Sequence, residues 1–72
     1  MKYIIANTEL TRQHSSIDFR GRHRSDDGRV MLNEKDLASV KAGTYEEKLA
    51  LISGEEISED EAINELNKEI WR

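Results

Sequence analysis

At 72 residues the chain is one small domain, and it contains neither cysteine nor proline. That excludes a disulfide framework and a thiolate metal site, so the core has to come from side-chain packing alone. The formal net charge of −4 is unevenly spread: residues 1–32 hold six basic and four acidic side chains (+2), and residues 33–72 hold five basic and eleven acidic ones (−6). Either the two parts attract each other within the fold or they face different partners.

Taken in chain order, Lys2–Ala6 opens with Tyr3-Ile4-Ile5, β-branched and aromatic on both faces, which predicts a central strand. This apolar stretch is too short for a signal peptide, and no segment reaches membrane-spanning length. A complete, soluble, cytoplasmic protein is therefore expected. Asn7 or Thr8 predicts the cap of a short helix to about His14, with an irregular loop as the alternative, because Leu10 is its one strong apolar anchor.

From Ile17 to Arg24 the character alternates. Ile17, Phe19, Gly21 and His23 share one side of a predicted strand, and Asp18, Arg20, Arg22 and Arg24 share the other. Gly21 marks a bulge or close approach. Ser25-Asp26-Asp27-Gly28 is a turn signal, and Arg29-Val30-Met31-Leu32 is the return strand of a hairpin. Asn33 predicts the cap of a helix from Glu34 to about Val40, with Leu37 and Val40 toward the sheet and Gly43 ending it.

Thr44-Tyr45-Glu46-Glu47 has the form of a capping box, and Tyr45, Leu49 and Ile52 follow at helical spacing up to Gly54. Glu55-Glu56-Ile57 reads as a turn or a brief strand. Ser58-Glu59-Asp60-Glu61 is a second capping box, with Ile57 and Ala62 placed as a hydrophobic staple. Ile63, Leu66 and Ile70 predict the buried stripe of the last helix, and Trp71 lies about 100° off that stripe. These elements predict an α+β domain: a small, largely antiparallel sheet of two or three strands packed against two to three C-terminal helices. Strand order stays open.

Several residues are candidates for function. On a strand, Arg20, Arg22 and Arg24 would stand about 7 Å apart, a spacing close to that of successive nucleic-acid phosphates. Arg29 follows across the turn, with His23 and Phe19 near enough to stack. The competing reading is a solvated edge whose arginines pair with Asp18, Asp26, Asp27 or the acidic helices, and the net acidic balance favours it. The acidic run 55–61 reads as a docking surface for a basic partner, as a divalent-cation site, or as helix capping and solvation; its positions favour capping. An EF-hand loop is excluded by spacing. His14 and His23, nine apart, make no metal-ligand pair. Ser15 and Ser16 adjoin His14 without triad geometry, and there is no glycine-rich phosphate loop. No enzyme, metal or cofactor is therefore expected.

Lys2-Tyr3-Ile4-Ile5, and Leu32-Asn33-Glu34-Lys35 after a glycine-containing turn, resemble short uncharacterised bacterial proteins of the Bacteroidetes type. That resemblance implies a bacterial cytoplasmic origin and no assigned activity. The resulting expectation is a non-enzymatic binding module acting through protein–protein contacts, with Glu59, Glu65 and Trp71 as partner-facing residues, or a homodimer. The alternatives are a nucleic-acid-binding regulator using Arg20, Arg22, Arg24 and Arg29, and an acidic mimic or inhibitor of a basic partner.

Overall fold

The computed structural model describes residues 2–72. β1 (Tyr3–Asn7) runs down the centre of a three-stranded antiparallel sheet, between β2 (Arg29–Asn33) and β3 (Glu55–Ile57). Tyr3 faces Asn33 on one side and Ile57 on the other; Ile5 faces Met31 and Glu55. α1 (Thr8–His14) follows β1 directly, a short 3-10 helix (Asp36–Ser39) follows β2, and α2 (Tyr45–Leu51) and α3 (Glu59–Leu66) flank β3 in sequence. The architecture is the expected small α+β one, but its third strand is 55–57 rather than 17–24.

Both faces of β1 are covered, which accounts for its lack of polar alternation. Ile4 and Ala6 join Val30 and Leu32 of β2, Leu37 and Val40 around the 3-10 helix, Ile52 after α2, and Phe19. Tyr3 and Ile5 turn the other way, toward a smaller cluster of Met31, Ile57 and Ala62, edged by Leu66 and Trp71. α1 packs beside β1 and α2. Its one buried residue is Thr11, whose hydroxyl donates to the Asn7 carbonyl at 2.7 Å.

Local signals explain most element ends. The Asn7 side chain accepts from Leu10 N–H at 2.9 Å, Thr44 Oγ1 from Glu47 N–H at 3.1 Å, and Ser58 Oγ from Glu61 N–H at 3.2 Å. Ile57 and Ala62 meet as a staple in the second cluster. Asn33 and Asp36 cap each other: Asp36 N–H donates to Asn33 Oδ1 at 3.0 Å, and Asn33 N–H to Asp36 Oδ2 at 3.1 Å. This tight reciprocal turn leads into the 3-10 helix where a longer α-helix from Glu34 was expected.

Three further expectations are corrected. Residues 15–23 form no strand. Gly21 adopts φ +80° in a turn closed by Arg22 N–H on the Phe19 carbonyl at 3.0 Å, which ends any extended run there. The hairpin turn itself does form, with Gly28 at φ +86°, but its incoming arm is only His23–Ser25: Ser25 N–H donates to Arg29 O, and Met31 N–H to His23 O. On α3 the buried residue is Ala62, while Ile63 is 53% exposed, because the helix presents its smallest side chain to the sheet. At the end of α2 the left-handed residue is Ser53 (φ 52°), not Gly54. Gly54 N–H reaches back to Leu49 O at 2.7 Å and Ser53 N–H to Ala50 O at 3.3 Å, the paired bonds of a Schellman closure.

Candidate functional site

The four candidate arginines do not stand in one row. Without a strand over 17–24, their alternation assigns them no common face. Arg20, widely exposed, folds back on Asp18 at 3.1 Å; this guanidinium holds the Asp18 carboxyl below the usual carboxylate range. Arg22 donates to Asp36 at 2.6 Å, and its Nε is buried without a partner. The Arg24 main chain is engaged on both sides, and its side chain is exposed with no ion pair among the described residues.

Arg29 leaves β2 into a network that the sequence separates widely. Its Nε bonds both Asp27 oxygens at 3.1 Å, its Nη2 reaches Glu65 at 3.3 Å, and its guanidinium lies over the Trp71 ring at 5.4 Å. Glu65 also accepts from Lys68 at 3.0 Å and from the Trp71 indole N–H at 3.2 Å. Asp27 accepts from the Ser25 hydroxyl as well as from Arg29. The acid shifts follow from these contacts. The Lys68 ammonium, then the Trp71 and Arg29 donors, hold Glu65 low despite partial desolvation. The Ser25 hydroxyl and Arg29 hold Asp27 low, and Asp27 in turn raises Arg29. Of the expected partner-facing residues, Glu65 and Trp71 are therefore tied into one structural cluster, and Glu59 alone stands free at the start of α3.

Residues 70–72 complete this cluster as a clasp. Arg72 N–H donates to Arg24 O at 2.9 Å, Arg24 N–H to Arg72 O at 3.2 Å, and Asp26 N–H to Ile70 O at 2.9 Å. Arg72 Nε adds an ion pair to Asp26 at 2.9 Å. The short arm 23–26 thus lies between β2 and the clasp.

Two open depressions flank the smaller core cluster. One, of about 250 Å³, is lined by Tyr3, Arg22, His23, Met31, Asp36 and Leu66. The other, of about 260 Å³, lies at the opposite end of β1 near Ile5, Asn7, Asp27, Arg29, Ser53 and Glu55. Among the described residues there is no group of three or more His, Cys, Asp or Glu arranged to hold a metal ion. No helix among them is long and apolar enough to cross a membrane.

What α3 leaves open is an apolar residue set among acids. Ile63 is about half exposed, and helical spacing puts Glu59 and Asp60 one turn before it on the same face. Glu59, Asp60 and Glu61 have no ion-pair partner among the described residues. Ile63 was missed as a surface residue because its three-residue spacing from Leu66 fits a buried stripe equally well. No family model matches the chain, and no curated protein or solved structure matches it.

Proposed function

We propose that this chain is a small non-enzymatic binding module acting through protein–protein contacts, with the outer face of α3 as its contact surface. Ile63 carries this reading: a large aliphatic side chain held in water on a helix whose first turn is Glu59-Asp60-Glu61. An apolar anchor framed by carboxylates that have no ion-pair partner among the described residues suits a partner with an apolar pocket rimmed by lysine or arginine. The acidic-mimic alternative uses the same face with more weight on charge. The nucleic-acid alternative is the weaker one, since Arg20, Arg22 and Arg29 each already hold a carboxylate. A bacterial cytoplasmic setting belongs to the same proposal and rests on the resemblance of its two short motifs.

The test compares wild type, Ile63→Asp and Glu59→Lys, all full chains, in co-purification at low and high salt. A partner retained by wild type, lost by Ile63→Asp and weakened about tenfold by Glu59→Lys supports the reading; ~1.4 kcal/mol is that factor. Equal retention by all three overturns it. Salt-sensitive oligonucleotide binding lost on Arg24→Ala would instead favour the regulator.

A further inference from the structure

The clasp resembles a short peptide paired with the arm 23–26, which is itself bridged to β2 at Arg24 and Val30. Its main chain pairs with Arg24–Asp26 through three hydrogen bonds. Its side chains are read one by one: the indole N–H by the Glu65 carboxylate, the indole ring by the Arg29 guanidinium, and the Arg72 guanidinium by Asp26. These contacts are directional and local, and none of them requires that the clasp belong to the same chain; the one bond tying it to its own link is Trp71 N–H on Lys68 O, at 3.5 Å. Its link to α3 is Asn67–Glu69, exposed throughout and without an apolar anchor.

We propose that the Arg24–Asp26 arm, with Arg29 and Glu65, is a recognition site for a Trp–Arg segment, and that it takes Ile70–Arg72 of a second copy of this chain, Ile70 through its main-chain carbonyl. Each copy gives its segment to the other. The exchange reproduces the contacts of the clasp with Arg24–Asp26, Arg29 and Glu65 and gives up the Trp71 N–H bond to Lys68 O within the link, so the chemistry of site and segment is complementary by construction. Reciprocal exchange has two-fold symmetry and leaves no edge vacant, so it stops at a dimer. Within one chain the short link supplies the segment at an effective concentration in the ~mM range. Closure on itself therefore prevails in dilute solution, and exchange prevails as protein concentration approaches that range. This surface is separate from Ile63 and stands whether or not α3 binds a partner.

The experiment uses two full-length variants with complementary defects. Trp71→Ala has a sound edge and a defective segment; Arg29→Ala with Asp26→Lys has a sound segment and a defective edge. Mixed, they are expected to form a species of twice the monomer mass that neither forms alone, with a blue shift of the single tryptophan's emission as the indole re-enters its slot. Wild-type protein is followed by light scattering from dilute solution to about 1 mM. Its apparent mass is expected to rise toward twofold, with isotope-filtered contacts between Trp71 of one copy and Arg29 of the other. This second measurement decides the matter if the edge variant fails to fold. A strictly monomeric wild type at that concentration overturns the proposal, as does a dimer whose Trp71–Arg29 contacts are all intramolecular.

Discussion

Glu65 takes hydrogen bonds from Lys68, Trp71 and Arg29, and its ionisation is therefore tied to folding. The folded state holds its carboxyl below the ordinary value of 4.5, and Asp27 and Asp18 are held below 3.8. A carboxylate favoured in the folded state contributes stability above its unfolded pKa and loses it as pH falls through the folded one. Stability from these groups is thus constant from neutral pH to about 5 and declines below that. In acid titrations followed by circular dichroism, Glu65→Gln is expected to be less stable than wild type at pH 7 and to show a shallower acid slope. Tyr45 has the opposite sense. Its hydroxyl donates to Glu56, and that bond, with desolvation and the nearby negative charge, pushes its pKa up to about 12. A phenol favoured as the neutral form contributes stability below its unfolded value and loses it as pH rises through about 12. In a Tyr3→Phe background, ultraviolet titration should find the Tyr45 phenolate forming near 12, and Glu56→Gln should bring it back toward 10.

The end of α2 separates two uses of a small residue. Ser53 carries the left-handed backbone, whereas Gly54 is a point of close approach to β1: a Cβ there would lie 3.0 Å from Leu49 Cδ2 and 3.1 Å from Ile4 Cγ2. Ser53→Gly is expected to stabilise the protein by about 1 kcal/mol by removing the strain of a left-handed non-glycine residue. Gly54→Ala is expected to destabilise it by about 1–3 kcal/mol through overpacking. Urea denaturation of the pair measures both signs. From sequence these neighbours look interchangeable, with Gly54 the natural helix stop, because close approach depends on Ile4, fifty positions away. The same limit runs through the other elements. Asn7, Thr44 and Ser58 were legible as caps because a cap bonds within three residues. The strand over 17–24 was misread because its alternation also suits a loop in which Asp18 binds Arg20 and Arg22 reaches Asp36. β1 has only two edges, and 29–33 and 55–57 occupy them. The Arg29–Glu65 pair joins residues thirty-six apart and left no local trace.

Across the whole molecule the two faces of the sheet are unequally protected. Among the described residues one carries eight buried side chains and the other three, with α3 contributing Ala62 as its buried contact. An eight-residue helix has little stability without tertiary packing. Amides of α3 are therefore expected to exchange through local opening, on the order of 100-fold or more faster than those of β1, which exchange near the global limit. Hydrogen exchange by NMR checks this, and uniform protection of the two elements would contradict it. The centrality of β1 also bears on how the chain is made. Of the three strands it is synthesised first, and both of its neighbours come later, the second ending at Ile57. A nascent chain that has passed Asn33 but not yet released β3 holds Tyr3-Ile4-Ile5 with one edge bare. A fragment ending before Glu55 is therefore expected to self-associate or to be cleaved where the full chain is not, and comparing the two by light scattering and limited proteolysis checks it.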